Sequence, residues 1–209
     1  IKSKVNYTLR TNLANPLLLN RNSFSDIDKP VWLSLDGQTA YVAPGHWVVK
    51  TPLILPIGVN LRVPPGTTLQ FADDAYMIVR GAIVAKGRKD APIEFIPYSE
   101  KWKGLYVLDA HDTSELSHVH IRGTDFLADG VLSLTGGVTF YQSDVNISHA
   151  RFSKSHAEDM LNIVRSDYKI LDTEFKEISE LISSLHIQVV NFEWLIDITE
   201  KWCKDRAIY

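Results

Sequence analysis

The sequence has little of what marks several common protein classes. Its single cysteine, Cys203, excludes an internal disulfide framework and a cysteine-based zinc site. Its net charge of -3 comes without the clustered excess of Lys and Arg by which proteins bind nucleic acid. No apolar run approaches the roughly 20 residues that a transmembrane helix needs. We therefore expect no nucleic-acid partner and no transmembrane segment.

Glycine and proline are absent from long regions. All 11 Gly lie between Gly37 and Gly137, and no Pro follows Pro97. The chain begins at Ile1 without a signal-peptide pattern, so we expect either a removed leader or a piece of a longer chain. We expect three regions: an N-terminal cap or linker over 1–30, a repetitive region over 31–179, and a divergent region over 180–209. The last is either a native cap, helical by its spacing, or a truncated coil.

The repetitive region has a period of just over 20 residues. Gly45, Gly66 and Gly87 are 21 apart, and QSDVNISHARF is echoed 23 residues later by RSDYKILDTEF. The alternation predicts inward-facing columns: Ala40, Leu61 and Ala82; Ile93, Val119, Ala150 and Thr173; Phe95, Ile121, Phe152 and Phe175; Leu105, Leu132 and Leu161. Stacked coils would bury such columns, with backbone hydrogen bonds running from coil to coil. A leucine-rich repeat would need an LxxLxL phrase that is missing, and an antiparallel sandwich would not space Gly equally.

The phrases NLRVPPGTTLQF, IVRGAIVAKG, APIEF, WKGLYV and SELSHVHIRG carry a family resemblance. With them, the sequence resembles right-handed parallel β-helix proteins of the bacterial extracytoplasmic type, which share the pectate-lyase-like superfold. The resemblance implies an all-β fold, a right-handed parallel β-helix (a single-stranded solenoid) of roughly six coils. It also implies a secreted, periplasmic or cell-surface location and a polysaccharide or cell-surface partner.

The first candidate site lies in AEDMLNIVR, where a corner enters a strand. In β-helix polysaccharide enzymes, acids near such a corner bind calcium and a Lys or Arg acts as base or neutralises charge. By this resemblance Glu158, Asp159 and Arg165 are candidate catalytic residues. Asn162 and Asp129 are candidate binding residues, with Glu158 expected to stack on Asp129. In the alternative interpretation, Asp159 caps a turn and Glu158 is solvated.

The second candidate site is an outward column of Glu94, His120, Arg151 and Glu174, next to His118, His149 and Asp172. Histidine and arginine there would suit glycan binding or acid–base chemistry, although a solvated ladder of mixed charge has the same pattern. Tyr106 alternates with inward Leu105 and Val107, so we expect it to point outward as a sugar-stacking ring. A zinc site at His118, His120 and His149 lacks an obvious fourth ligand.

Two functions fit these patterns. The first is a non-catalytic module that presents a rigid face to a glycan or a partner. The second is a polysaccharide lyase or hydrolase acting on an acidic glycan, with calcium as the only cofactor suggested. The sequence lacks nucleotide-loop and nucleophile motifs that would favour other enzyme classes.

Overall fold

The structure is a computed structural model that describes residues 30–129 and 132–176. All regular elements in these residues are β-strands, and most strand pairs are parallel. The predicted all-β class is therefore confirmed. The predicted N-terminal cap up to residue 29 and the predicted C-terminal helical cap or truncated coil over 180–209 lie outside the described residues.

Most strands belong to three sheets, named A, B and C. In pairing order, sheet A contains β1 (Leu33–Asp36), β2 (Thr39–Val42), β5 (Asn60–Val63), β8 (Ile83–Lys86), β11 (Ser114–Ser117), β16 (Val145–Ser148) and β19 (Tyr168–Leu171). Sheet B contains β3 (His46–Val49), β6 (Thr68–Phe71), β9 (Ile93–Pro97), β12 (Val119–Arg122), β17 (Arg151–Ser153) and β20 (Glu174–Lys176). Sheet C contains β4 (Leu53–Ile54), β7 (Met77–Val79), β10 (Leu105–Leu108), β15 (Val138–Tyr141) and β18 (Asn162–Val164). A separate antiparallel hairpin is formed by β13 (Leu127–Asp129) and β14 (Leu132–Leu134).

The chain visits the three sheets in turn. From β2 onward, each strand of sheet A is followed by one of sheet B and then one of sheet C, and only the β13–β14 hairpin interrupts this order. Side chains alternate along each strand, and one set from all three sheets meets in a single apolar core. Phe71 and Trp102 stack in this core with ring centroids 4.0 Å apart. The Trp102 indole donates to the Arg122 carbonyl at 2.8 Å, which satisfies its buried N–H.

The later columns predicted from the sequence are confirmed by the strand register. Phe95 pairs with Ile121, Ile121 with Phe152 and Phe152 with Phe175. The echo of 23 residues is also confirmed, because Val145 pairs with Tyr168. Phe152 and Phe175 stack with centroids 5.1 Å apart.

Two other predicted columns are wrong in part, the one that begins at Ala40 and the one that begins at Leu105. Leu61 pairs with Ile83 rather than with Ala82, because the step from Leu61 to its partner is one residue longer than the step from Ala40 to Leu61. Leu105 pairs with Val138 rather than with the predicted Leu132. Leu132 lies instead in the hairpin opposite Asp129. The chain leaves the stack after Thr124, which pairs with Trp102, and returns at Gly136, which pairs with Asp159, so the excursion is longer than the insertion predicted at Thr124–Ala128.

Corners between sheets place non-glycine residues in the left-handed backbone region. His118 (φ 49°), His149 (φ 51°) and Asp172 (φ 44°) lie at successive corners between sheets A and B. Left-handed backbones also occur directly after strands of sheet C, at Asp109, Gln142 and Arg165. A left-handed residue turns the chain sharply and costs on the order of 1 kcal/mol or more outside glycine.

The β13–β14 hairpin accompanies a second, smaller apolar cluster on the outer side of sheet C. Its buried members are Ile54, Tyr76, Ile78, Tyr106 and Leu127.

Asp125 forms buried ion pairs just before the hairpin. Its carboxylate is 2% exposed and accepts from Lys103 Nζ at 2.9 Å and Lys101 Nζ at 3.0 Å.

Candidate functional site

The outward surface of sheet B is built from two ladders of side chains, together called the sheet B face. The strand register aligns the first ladder as His46, Thr68, Glu94, His120, Arg151 and Glu174. The second ladder runs Val48, Gln70, Ile96, Arg122, Ser153 and Lys176. Neighbouring rungs of parallel strands are about 4.8 Å apart. The predicted alignment of Glu94, His120, Arg151 and Glu174 is confirmed, and the structure adds His46 and Thr68.

Contacts within the first ladder join neighbouring rungs. Thr68 Oγ1 donates to Glu94 Oε2 at 3.3 Å, and His120 Nδ1 lies 3.8 Å from Glu94 Oε1. Arg151 Nε donates to Glu174 Oε2 at 2.9 Å. These hydrogen-bonding side chains are half-exposed to exposed, so they remain accessible to a ligand.

Two cations share the Glu174 carboxylate. Hydrogen bonds from Arg151 and then Lys176 hold the pKa of Glu174 below its usual value. In the second ladder, Arg122 is exposed, and no ion pair engages its guanidinium among the described residues. A guanidinium in that state can bind a carboxylate or sulfate through two parallel hydrogen bonds.

Three residues at the corner between sheets A and B flank this surface; we name them the A–B corner: His118, His149 and Asp172. The two imidazoles stack face to face, with centroids 4.6 Å apart and planes 2° from parallel. His149 Nε2 lies 3.6 Å from Asp172 Oδ2, and His118 Nδ1 is 3.2 Å from Ser117 Oγ. They directly follow the paired residues Ser117, Ser148 and Leu171, and all three have left-handed backbones.

The acidic candidate site is divided between the two ends of a short strand. Glu158 and Asp159 are exposed and precede β18, whereas Arg165 follows it. Arg165 Nη1 donates to Tyr141 Oη at 3.2 Å, and its guanidinium lies 5.9 Å from the Tyr141 ring centroid. The Asp159 carbonyl accepts from the Gly137 N–H at 2.8 Å. The described contacts therefore join Arg165 to Tyr141 and the Asp159 backbone to the glycine turn.

Glu158 does not stack on Asp129 as predicted. A parallel bridge pairs Asp159 with Gly136, which sets Glu158 level with Thr135. Asp129 lies in the hairpin and accepts from Tyr76 Oη at 2.7 Å. Burial, reinforced by this hydrogen bond, raises the pKa of Tyr76. The prediction failed because the hairpin takes Asp129 out of the coil stack.

The candidate residues do not fit a resident metal ion. Over residues 30–129 and 132–176, no three His, Cys, Asp or Glu side chains come together as a set that could hold one. Calcium needs about six to eight oxygen ligands. We therefore derive no chemistry through calcium or zinc.

Asn162 has the orientation expected from the sequence. Leu161 and Ile163 pack against the core, whereas Asn162 belongs to the outer side of sheet C beside Thr139. A Cβ at Gly136 would come within 2.7 Å of Asn162 Nδ2, so the amide packs closely on this glycine. Packing accounts for Asn162 at this position.

Tyr106 is buried, which corrects the prediction of an exposed sugar-stacking ring. It does project from the outer side of sheet C, but it lies in the cluster beside the hairpin with 0% exposure. Its hydroxyl donates to the Lys103 carbonyl at 2.7 Å, and burial raises the pKa of the phenol. Alternation alone could not reveal that a later segment covers this side of the sheet.

Comparisons with known proteins give no relative for the chain. No family model, curated protein or solved structure matches it. In the described part of the chain, no helix is long and apolar enough to cross a membrane.

Proposed function

We propose that the protein is a right-handed parallel β-helix module of the pectate-lyase-like superfold. The support is the cyclic order of sheets A, B and C together with parallel pairing at steps of 21 to 33 residues. A chain that returns to the same three sheets in the same direction must wind, and right-handed crossovers are by far the commoner hand. The superfold and its secreted, periplasmic or cell-surface location rest on the resemblance of the sequence.

The proposed function is non-catalytic binding of a linear glycan on the sheet B face. The observation that carries it is the accessible first ladder, which is polar on all six strands of sheet B, together with the polar members of the second ladder beside it: Gln70, Arg122, Ser153 and Lys176. A linear polysaccharide repeats its hydroxyl and carboxylate groups along its length, and the first ladder repeats donors and acceptors about every 4.8 Å. Such a ligand could bridge several rungs, so that weak contacts add together.

The sheet B face suits a polar ligand better than an apolar one. Glu94, His120 and Arg151 offer both acceptors and donors, and Arg122 keeps its guanidinium available for a ligand. Parallel strands that pair on both sides hold these groups on a rigid backbone, which lowers the entropy cost of binding. We propose no cleavage reaction, because the described contacts join Arg165 to Tyr141 rather than to Glu158 or Asp159.

The test is a binding panel of neutral and acidic polysaccharides with two matched arginine variants. Arg122→Ala removes a cation from the sheet B face, whereas Arg62→Ala removes another exposed cation from the outer side of sheet A. We expect Arg122→Ala to weaken binding about two- to fivefold, the effect of one exposed charged contact. Arg62→Ala should leave the dissociation constant unchanged.

Two results contradict this proposal. One is the absence of binding to every member of a wide panel. The other is an equal effect of both arginine variants, which would move the binding surface elsewhere. The same panel is assayed for new reducing or unsaturated ends. Their release would favour the lyase or hydrolase alternative.

A further inference from the structure

Histidines are concentrated on and beside the sheet B face. Six of the seven histidines lie in the described residues. Four of these six belong to the first ladder or the A–B corner: His46, His118, His120 and His149. All four are half-exposed or exposed. Imidazole is the side chain whose charge ordinarily changes between about pH 5 and 8.

The two histidines of the first ladder differ in their neighbours. His46 Nε2 contacts Gln70 Oε1 at 2.8 Å, and Thr68 is its partner on the next strand. His120 has Glu94 on one neighbouring strand and Arg151 on the other. Arg122 is two residues along its own strand, on the same side of the sheet.

The two corner histidines face each other and one carboxylate. His118 contacts Ser117 and stacks on His149, which in turn lies beside Asp172. On the preceding coil, Gly87 stands at this level and is followed by Arg88, Lys89 and Asp90, of which Arg88 and Asp90 pair with each other. The stack therefore gains positive charge on protonation, with Asp172 as its nearest acid.

The net charge of this surface depends on the protonation of its four imidazoles. The sheet B face holds three permanent cations, Arg122, Arg151 and Lys176, against the carboxylates Glu94 and Glu174. The A–B corner adds the carboxylate of Asp172. With neutral imidazoles the combined surface is uncharged, and with all four protonated it carries four positive charges.

We infer that the sheet B face binds a polyanionic glycan more tightly in acid than at neutral pH, through protonation of His46, His118, His120 and His149. This inference rests on the proposed function and adds to it the ligand charge and a means of release. Carboxylated and sulfated glycans share the required chemistry, since both present repeated anions to cations on a surface. When these imidazoles are neutral, the same surface has no net positive charge to attract a polyanion.

The test compares three polysaccharides at about pH 5 and about pH 7.5 at constant ionic strength. Dextran sulfate keeps its charge over this range, polygalacturonate supplies carboxylates, and plain dextran is the uncharged control. We expect the full chain to bind both polyanions about tenfold or more tightly at the lower pH, which is the summed effect of four weak exposed charges. Dextran should show no such change.

A quadruple variant should bind dextran sulfate with the same affinity at both pH values. Its substitutions are His46→Gln, His118→Gln, His120→Gln and His149→Gln. His111→Gln is the matched control, because His111 is exposed in the segment between β10 and β11 of sheets C and A. It should keep the full pH response. Circular dichroism shows whether the combined variant folds. If it does not, the single variants His118→Gln and His120→Gln replace it, and each should reduce the pH response.

The outcomes separate the two proposals. Equal binding of polyanions at both pH values overturns the inference and leaves glycan binding standing. A pH response that survives in the combined variant, or that disappears in His111→Gln, also overturns it. Absence of binding to all three polysaccharides at both pH values overturns the inference, and with the wider panel it overturns the proposed function as well.

Discussion

Asp125→Asn should destabilise the protein by about 2 to 3 kcal/mol at neutral pH. The carboxylate is 2% exposed and accepts three hydrogen bonds, from Lys103 Nζ at 2.9 Å, Lys101 Nζ at 3.0 Å and the Phe126 N–H at 2.9 Å. A hydrogen bond to a charged group contributes about 1.5–3 kcal/mol and a neutral one about half of that. The Lys101 side chain is 45% exposed, so solvent screens its share, and most of the loss comes from Lys103.

The same residue predicts how stability varies with pH. Burial raises the pKa of the Asp125 carboxyl, but the hydrogen bonds from Lys103 and Lys101 outweigh it, so the net pKa lies below the ordinary value of 3.8. A carboxyl with a lowered folded-state pKa contributes stability that is present above the unfolded value and is lost as the pH falls through the folded value. The difference between wild type and Asp125→Asn should therefore stay constant down to the ordinary value and shrink below it.

The measurement is urea unfolding of both proteins from neutral pH down to about pH 3, with the free energy taken from the midpoint and slope. Asp90→Asn is the control, because Asp90 forms an exposed ion pair with Arg88 at 3.4 Å and should change stability by less than about 0.5 kcal/mol. Wild-type stability of Asp125→Asn at neutral pH would contradict the stabilising role of this carboxylate. A difference in stability that persists unchanged at the lowest pH would contradict its lowered pKa.

Two further substitutions test the region around the hairpin. Tyr106→Phe removes the hydroxyl that donates to the Lys103 carbonyl, and it should lower the free energy of unfolding by about 1 kcal/mol without changing glycan affinity; reduced glycan affinity would restore Tyr106 as a ligand contact. Gly137→Ala would place a Cβ within 2.7 Å of Thr124 Cβ, and should cost about 1–3 kcal/mol in chemical unfolding. Gly37→Ala meets no atom within 4 Å and carries only the strain of its φ of 56°, so a larger loss there than at Gly137 would contradict the packing argument.

The sequence predicted the later coils better than the earlier ones for a physical reason. Phe95, Ile121, Phe152 and Phe175 form a column of large apolar residues, and their spacing can be read directly because each fills the same layer of the core. Between Leu61 and Ile83 the inward residues are smaller and adjacent to further apolar ones, so a one-residue shift leaves the pattern intact. A side-chain period of two cannot reveal a single extra residue at a corner.

The hairpin was missed because its leucines alternate as those of a stacked strand do. Leu132 and Leu134 are two apart, as Leu105 and Val107 are, yet β14 pairs antiparallel with β13. Tyr106 was misplaced by the same error, since a segment that covers the outer side of a sheet leaves no mark on that sheet's own sequence. The first ladder could be predicted because strand alternation and coil spacing determine which residues lie side by side.

The acidic candidate site could be located in the sequence, but the arrangement of its side chains in space could not be predicted. Glu158 and Asp159 precede β18 and Arg165 follows it, so the strand itself separates them. Whether such groups converge depends on corner geometry. The left-handed backbone of Arg165 directs its guanidinium to Tyr141, and sequence spacing does not contain that information.

The antiparallel strand β1 has a consequence for self-association. Parallel sheets expose unsatisfied backbone groups at their first strand, and an exposed edge can recruit a strand from another molecule and start aggregation. On sheet A, β1 occupies that edge by pairing Leu33 with Val42 and Asp36 with Thr39 in the opposite direction. Because β1 runs against the other strands, its outer edge does not repeat their parallel pattern, and the charged Asp36 at its end disfavours the addition of another strand. We therefore expect β1 to make association through this end of sheet A less favourable.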